Sequence, residues 1–334
     1  MARKNHRFTL AARPVGLPKS TDFAFAAEDQ RDPGDGEFVV QVHYISLDPA
    51  MRGWMNEGKS YVRPVAIGEV MRAGAIGRVV ESRHPRFPVG SHALGMFGLQ
   101  EYALSNGDGV TPVDPELAPL PVMLSTLGMP GLTAYFGLLD IGKPVAGNTV
   151  VVSGAAGAVG SVVGQIAKIH GCRTVGIAGG ADKCRYLGEL GYDAAIDYKA
   201  GDVKAQLRQH CPSGIDVFFD NVGGDILDAA LSQLAMRARI IICGAISQYN
   251  NTTPVKGPSN YLSLLVNRAS MTGMVVFDYA ARYAAALAEM GQWMAAGKLR
   301  SREDIVRGLD QFPAALLRLF SGENFGKLLL ELPV

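Results

Sequence analysis

The sequence lacks the patterns that hold metal ions or disulfide frameworks. Its four cysteines stand far apart in a chain of 334 residues, and no two of them form a C-x-x-C pair. The six histidines show no H-x-x-x-H spacing and no grouping with cysteine. We therefore expect reduced cysteines that pack within the protein, and no bound metal.

An excess of charge and long apolar runs are also missing. The chain has 32 basic and 31 acidic residues, a net charge of +1, so neither nucleic acid nor a membrane surface is an expected partner. No run approaches the ~20 apolar residues that a membrane-spanning helix needs. The basic stretch of residues 1–14 has no continuous apolar core of the kind found in secretory signals. These observations predict a soluble, cytoplasmic protein.

Glycine is abundant, with 40 residues, and one glycine-rich stretch is the most informative part of the chain. The apolar run Thr149–Ser153 is typical of a buried parallel strand, and small residues and then a helical pattern follow it. A strand, a glycine turn and a helix N-terminus in this order can hold a pyrophosphate, because small residues admit the anion and the helix dipole attracts it. The spacing Gly154-x-x-Gly157-x-x-Gly160 differs from the usual G-x-G-x-x-G, so a glycine turn without a ligand is the alternative.

The pattern of elements indicates two domains and an α/β fold. Apolar runs alternate with helical patterns from about Thr149 to Phe277, which predicts a doubly wound, mostly parallel sheet in a domain of residues 125–299. Residues 1–124 have short β-like runs broken by proline and glycine, which predicts a mainly antiparallel β domain that residues 300–334 complete. Such a discontinuous domain would place a cleft between the lobes, a common place for a small ligand. The predicted strands of the parallel sheet are Thr149–Ser153, Thr174–Ala178, Ala194–Asp197, Val217–Asp220, Arg239–Cys243 and Met271–Phe277.

The end of the second of these strands indicates which dinucleotide is bound. Domains that prefer NAD usually have an acidic residue here, which binds the ribose 2′-hydroxyl. This chain has Gly179-Gly180 instead, with Lys183 just beyond. A carboxylate would repel a 2′-phosphate and an ammonium would attract it, so the sequence favours NADPH over NADH. We expect Asp182 to cap the helix that begins at Lys183.

Eight short motifs in order give the chain a family resemblance over nearly its whole length. Together they resemble the zinc-independent medium-chain dehydrogenase/reductases, in the branch of the prostaglandin reductases and the NADPH-dependent alkenal double-bond reductases. The resemblance implies a GroES-like catalytic domain, a Rossmann domain that binds NADP(H), and hydride transfer to the β-carbon of an α,β-unsaturated ketone or aldehyde. The motifs are Asn5 with Arg13–Gly16, Ser46–Gly53, Gly68–Met71, Gly128–Tyr135, Ala155–Ser161, Asp220–Gly224, Cys243–Ser247 and Glu323–Lys327.

The resemblance also implies which residues meet the cofactor. Lys183 and Tyr198 correspond to residues that contact the 2′-phosphate, and Asn324 to a tail asparagine that reaches the cofactor. Other positions follow predicted strand ends, where ligands bind in open α/β sheets. The expected cofactor residues are Gly157, Ala158, Val159, Gly160, Lys183, Tyr198, Asn221, Cys243, Gly244, Ala245, Ile246, Ser247, Tyr249, Met274, Val275, Val276 and Asn324.

A tyrosine is the expected helper in the reduction. Tyr261 matches the family tyrosine that donates a hydrogen bond to the substrate carbonyl, where negative charge builds after hydride transfer. The alternative is a hydrophobic anchor for the following helix. The family often has tyrosine where this chain has Ala50, so we expect a reshaped substrate pocket, part of which Tyr61 could fill.

The sequence is also compatible with two other functions, and it predicts an assembly. A quinone reductase uses the same scaffold, and a sensor that binds NADPH without turnover belongs to a different class. The apolar run Met271–Phe277 is expected at a sheet edge, and exposed apolar edges favour pairing. We therefore expect a homodimer through the Rossmann domain, with coverage of this run inside the monomer as the alternative.

Overall fold

The computed structural model describes residues 3–333 and shows an α/β protein. The strands are β1 (Lys4–Leu10), β2 (Phe23–Asp29), β3 (Phe38–Ser46), β4 (Ala75–Ser82), β5 (His92–Gly95), β6 (Tyr102–Ser105), β7 (Thr111–Val113), β8 (Thr149–Ser153), β9 (Arg173–Ala178), β10 (Ala194–Asp197), β11 (Ile215–Asp220), β12 (Leu234–Ile242), β13 (Ser270–Gly273), β14 (Glu303–Arg307) and β15 (Lys327–Glu331). The helices are α1 (Ala50–Trp54), α2 (Leu120–Leu124), α3 (Met129–Phe136), α4 (Gly160–Ile169), α5 (Ala181–Glu189), α6 (Val203–His210), α7 (Gly224–Leu231), α8 (Ser263–Asn267), α9 (Tyr283–Ala295) and α10 (Phe312–Ser321).

The described residues divide into two compact units. One consists of the residues up to Leu124 and those from Glu303 onward, and the other is Ser125–Arg302. No helix within residues 3–333 combines the length and the apolar character that crossing a membrane requires.

The first unit is a β domain around one large apolar core. Its seven-stranded sheet has the order β14-β15-β3-β4-β5-β7, with β6 paired to β3, and β1 pairs with β2 separately. Pairing is antiparallel except between β14 and β15. Phe38, Val40 and Val42, at alternate positions of β3, are buried in this core, and Val39 between them is buried as well.

The second unit is a Rossmann-type domain. Its six strands are parallel and have the order β10-β9-β8-β11-β12-β13. The β-branched run Val150–Val152 is fully buried, which is typical of a strand covered on both faces. Chain order reverses between β8 and β11, and the carboxyl ends of the strands at such a point form the usual ligand crevice of open α/β sheets.

Most predicted strands of this sheet agree with the structure, but the last one is wrong beyond Gly273. β13 covers only Ser270–Gly273, and a 3₁₀ helix runs from Val276 to Arg282. The chain turns because the Asp278 N–H donates to the Val275 carbonyl at 3.2 Å. Met274 and Val276 are buried, whereas Met271 and Phe277 are each 39% exposed, so only part of the apolar run packs inside the domain.

Candidate active site

The glycine turn, residues 154–160, joins β8 to α4 at the carboxyl edge of the parallel sheet. Gly154 has a φ of 59°, in the left-handed region that favours glycine. A Cβ on Gly160 would lie 2.4 Å from the Gly154 carbonyl oxygen, so the turn needs glycine there as well. Val159 is the N-cap residue of α4, and no side chain caps the helix. A helix N-terminus preceded by small residues is suited to a pyrophosphate group.

Gly179, Lys183 and Tyr198 lie at one corner of this edge. The Tyr198 ring packs on Gly179, because a Cβ on that glycine would lie 2.8 Å from ring and hydroxyl atoms of the tyrosine. Tyr198 is 42% exposed. Lys183 is in the first turn of α5, which begins directly after Gly180. An ammonium and a phenol near one strand end suit a phosphate group.

The cap predicted for Asp182 is wrong. The helix begins at Ala181, Gly180 is its N-cap, and Asp182 lies in the first turn. The Asp182 carboxylate forms an ion pair with Arg185 three residues later. Its negative charge is therefore balanced within the helix.

The asparagine loop, residues 221–224, follows β11. The Asn221 side chain donates from Nδ2 to the Ser153 carbonyl at 2.7 Å, and its N–H donates to Ser153 Oγ at 2.8 Å. The preceding Asp220 is fully buried, and its carboxylate accepts a hydrogen bond from Ser153 Oγ at 2.7 Å. Burial raises the pKa of the Asp220 carboxyl, and hydrogen bonds from Gly223, Ser153 and Val222 oppose that shift. The sequence places Asp220 at the start of a family motif but gives neither Asp220 nor Ser153 a role of its own, although a carboxylate that ends an apolar strand is a usable signal.

The serine loop, residues 243–249, follows β12 and packs on the asparagine loop. Ile246 N–H donates to the Asn221 carbonyl, and Ser247 donates to the Val222 carbonyl from both N–H and Oγ, the latter at 2.7 Å. The Tyr249 hydroxyl accepts from the Ala245 N–H at 3.1 Å. The structure thus brings the predicted residues of these two loops together.

Cys243, in the serine loop, is not set up as a nucleophile. Burial, followed by the charge of Asp220, raises the pKa of the Cys243 thiol to about 12. The thiol is neutral at physiological pH. All four cysteines of the chain are free.

The predicted residues Met274–Val276 follow β13 at the same edge. The Met274 N–H donates to the Ile242 carbonyl at 3.0 Å. The Tyr283 hydroxyl donates to the Val276 carbonyl at 2.9 Å. The segment is therefore fixed by hydrogen bonds at both of its ends. The Val276 carbonyl keeps a second lone pair that can accept a further hydrogen bond.

Tyr261 precedes α8 and is 58% exposed. Its hydroxyl has no hydrogen-bond partner among residues 3–333. The neighbouring Asn260 binds Asp228 on α7 through its N–H, at 2.8 Å, and through its side chain. The segment is thus anchored to a helix that begins at the asparagine loop, and the phenol is available as a donor.

The predicted pocket residues Ala50 and Tyr61 belong to the first unit. Ala50 begins α1, is half-buried and packs against the apolar core. Tyr61 is 55% exposed, and its hydroxyl accepts a 3.4 Å hydrogen bond from Trp54 Nε1 at the end of α1. Tyr61 and Ala50 therefore lie near opposite ends of one short helix.

The predicted tail residue Asn324 donates from Nδ2 to the Gly326 carbonyl at 3.1 Å. Lys327, the first residue of β15, is only 2% exposed. The sequence places it at the end of a family motif but gives it no role of its own. Its ammonium donates to the Leu47 carbonyl at 2.6 Å and to the Asp48 carboxylate at 2.7 Å. Burial lowers the pKa of Lys327, while Asp48 opposes that shift. The lysine ties the tail to the turn that precedes Ala50.

Comparisons with known proteins agree with this architecture. A family described as the N-terminal domain of oxidoreductase matches residues 6–113, and one described as zinc-binding dehydrogenase matches residues 158–292. The NADPH-dependent curcumin reductase of Escherichia coli (strain K12) is 43% identical, covering 98% of this chain and 97% of the relative. Prostaglandin reductase 1 of Bos taurus is 39% identical, covering 97% of this chain and 98% of the relative.

A solved structure is similar along the whole chain. The crystal structure of CurA in complex with NADPH, from Vibrio vulnificus, is 45% identical and has a TM-score of 0.94, covering 98% of this chain and 99% of CurA. Although one family description refers to zinc, no group of three or more His, Cys, Asp or Glu side chains within residues 3–333 is arranged to hold a metal ion. The predicted family and fold class are confirmed: the chain belongs to the medium-chain dehydrogenase/reductases, in the zinc-independent branch that includes the prostaglandin and curcumin reductases.

Proposed function

We propose that this protein is an NADPH-dependent reductase of the C=C bond of α,β-unsaturated ketones and aldehydes. The observation that carries the proposal is the carboxyl edge of the parallel sheet, where a glycine turn, a lysine–tyrosine corner and two hydrogen-bonded loops lie together. Relatives named as a curcumin reductase and a prostaglandin reductase, one of them NADPH-dependent by name, support it. A cytoplasmic location stays a prediction from the sequence.

The chain's own residues divide the binding of NADPH among them. Gly157–Gly160 receive the pyrophosphate at the N-terminus of α4. Lys183 and Tyr198 receive the 2′-phosphate, with Tyr198 held in place against Gly179.

Further along the edge, Asn221 and the serine loop residues Cys243, Gly244, Ala245, Ile246, Ser247 and Tyr249 line the space toward the nicotinamide. The backbone of Met274, Val275 and Val276 binds its carboxamide. Asn324 reaches the cofactor from the tail. The support for these roles is the match to the family motifs together with the placement of all but Asn324 around the strand ends.

The reduction needs a donor where charge develops. NADPH, when bound, supplies a hydride to the β-carbon, which leaves negative charge on the carbonyl oxygen of the substrate. The Tyr261 hydroxyl donates a hydrogen bond to that oxygen and stabilises the enolate. The Tyr261 hydroxyl has no hydrogen-bond partner within residues 3–333, so it can do this without first breaking an internal hydrogen bond. A proton delivered from water then adds to the α-carbon and completes the saturation of the C=C bond.

The substrate pocket is shaped by a small residue. Ala50 stands where the family often has tyrosine, so the pocket accepts bulkier enones on that side. Tyr61, which is held through its hydroxyl by Trp54, lines the other end of α1. We therefore expect activity on conjugated carbonyls with a large substituent.

We also propose that the protein is a homodimer through its Rossmann domain. β13 is an edge strand of the six-stranded sheet, and all four of its residues are exposed. Next to it in the chain, α8 exposes Leu265 (74%) and Val266 (65%). An exposed edge strand beside apolar side chains favours pairing with a second copy. Light scattering should give twice the 35.5 kDa chain mass, Met271→Asp should reduce it to a single chain mass, and a monomeric wild type would refute the dimer.

One assay tests the catalytic proposal. Oxidation of NADPH is followed by absorbance with a panel of enones, enals and quinones, each repeated with NADH, and products are identified by mass spectrometry. We expect rapid oxidation with enones or enals, a product saturated at the C=C bond, and a preference for NADPH. Turnover with quinones alone would assign the protein to the quinone reductases. Tight binding of NADPH without any turnover would make it a sensor.

A further inference from the structure

The Asp220 carboxylate is a buried charge at the centre of the carboxyl edge. Its side chain is fully buried. Oδ1 accepts hydrogen bonds from Ser153 Oγ at 2.7 Å and from the N–H groups of Val222 and Gly223 at 3.0 Å. Oδ2 accepts from the same Gly223 N–H at 3.1 Å. Burial of a carboxylate costs free energy unless hydrogen-bond donors surround it. Here the Ser153 hydroxyl and two backbone N–H groups supply those donors.

The same residue contacts the serine loop through its backbone. The Asp220 carbonyl accepts hydrogen bonds from Cys243 N–H at 2.9 Å and from Gly244 N–H at 3.1 Å. These two hydrogen bonds fix the position of the first residues of the serine loop, directly after β12. Asp220 is therefore bonded to its own loop and to the loop that follows the neighbouring strand.

Ser153 extends this network to the glycine turn. While its hydroxyl donates to Asp220, the same oxygen accepts the Asn221 N–H, and the Ser153 carbonyl accepts the Asn221 side chain. Gly154, the first residue of the glycine turn, follows directly, and a Cβ there would already lie 3.5 Å from Asn221 Cβ. The partners are 67 and 68 residues apart in sequence, so the network is a tertiary link and not a local turn.

We propose that Asp220, acting with Ser153, is a positioning residue that holds the glycine turn, the asparagine loop and the serine loop in the arrangement that receives the dinucleotide. A carboxylate accepts from these donors with both of its oxygens, whereas an asparagine at this position would direct an N–H₂ group at the Gly223 N–H in place of Oδ2. The proposal rests on the proposed function, since it takes these loops as the NADPH site. The three loops contact the parts of the dinucleotide that NADPH and NADH share. Loss of the network therefore weakens the binding of both cofactors by the same factor.

The sheet supplies a matched control at its opposite edge. Asp193, just before β10, accepts hydrogen bonds from Thr174 N–H at 2.7 Å and from Thr174 Oγ1 at 3.2 Å, and it pairs with Lys168. This arrangement also joins a carboxylate to a hydroxyl and an amide of a neighbouring strand. It lies at the amino ends of the strands, away from the three loops. Asp193→Asn therefore perturbs the same sheet without touching the cofactor edge.

The experiment compares Ser153→Ala, Asp220→Asn and Asp193→Asn in the full chain. Thermal unfolding of the cofactor-free protein measures stability, and titrations followed by nicotinamide fluorescence measure the Kd for NADPH and for NADH. We expect Ser153→Ala and Asp220→Asn to raise both Kd values about tenfold, which corresponds to about 1.4 kcal/mol of binding free energy. Asp193→Asn should lower the unfolding temperature and leave both Kd values unchanged.

Two results would overturn the positioning role. One is a loss of stability in Ser153→Ala and Asp220→Asn with unchanged Kd values, which is the signature of a purely structural network. The other is an effect on NADPH alone, which would place the network at the 2′-phosphate. If Asp220→Asn does not fold, Ser153→Ala decides. A wild type that binds NADPH but reduces no enone contradicts the proposed function and leaves this test intact, whereas a wild type that binds neither cofactor contradicts both.

Discussion

Alanine at two glycines of the glycine turn should separate folding from cofactor binding. In Gly160→Ala the new Cβ would lie 2.4 Å from the Gly154 carbonyl oxygen and 2.7 Å from Ala155 Cα. Both are backbone atoms that cannot withdraw without opening the turn. Overpacking of this kind costs about 1–3 kcal/mol, and the better helix propensity of alanine recovers about 0.5–1 kcal/mol. We expect a net destabilisation of about 1–2 kcal/mol.

Gly157→Ala should behave differently. The nearest atom to its new Cβ is the Gly154 carbonyl oxygen at 3.2 Å, a contact that a small shift relieves. In a dinucleotide-binding turn the second glycine lets the backbone approach the pyrophosphate. We expect stability near that of the wild type and an NADPH Kd raised about tenfold or more, because a methyl group would occupy that approach.

Thermal unfolding and NADPH titration of the two variants test this reasoning together. Gly160→Ala should unfold several degrees below the wild type, since 1 kcal/mol shifts the midpoint of a domain of this size by about 2–4 °C. Gly157→Ala should unfold at the wild-type temperature but bind NADPH weakly. Wild-type stability in Gly160→Ala, or wild-type NADPH affinity in Gly157→Ala, would refute the assignment of roles within the turn.

Three further substitutions address the corner, the donor and the tail. Lys183→Ala should raise the KM for NADPH at least tenfold and leave that for NADH nearly unchanged, because only NADPH carries the 2′-phosphate; equal effects on both cofactors would contradict the role. Tyr261→Phe should lower kcat about 100-fold, the effect of removing one donor to a developing oxyanion, while the NADPH Kd holds; unchanged turnover would reject the tyrosine. Lys327→Met should lower the free energy of unfolding by about 2 kcal/mol in denaturant titrations, because it leaves Leu47 and Asp48 without their buried donor; a variant as stable as the wild type would show that the pair contributes nothing.

The parallel sheet was predictable because its central strands are buried on both faces. Val150–Val152 and the apolar part of β11 form continuous apolar runs between turn residues, a pattern with few alternatives in an α/β chain. Edge strands lack that signal. β14 has the sequence EDIVR, is largely exposed on its outer face, and pairs only with β15 among the described strands. Its strand conformation comes from tertiary pairing and not from its composition.

The site was predictable where it depends on local sequence and not where it depends on distant partners. The glycine turn and the loops after β11 and β12 follow strand ends, so their clustering was expected before the structure. Asp220 and Lys327 lie in family motifs, but their roles were not predictable, because each acts through a residue far away in the chain, Ser153 and Asp48 respectively. One sequence alone does not show which residues that are far apart in the chain come into contact in the fold.

Delivery of the hydride to the β-carbon is the central claim, and its most direct test is an isotope label. The enzyme is supplied with an enone and with NADPH deuterated on the transferring face of the nicotinamide, and the product is analysed by NMR. We predict one deuterium on the β-carbon, an intact carbonyl group and a saturated C=C bond. Deuterium on the carbonyl carbon, with an allylic alcohol as product, would contradict the claim and identify a carbonyl reductase instead.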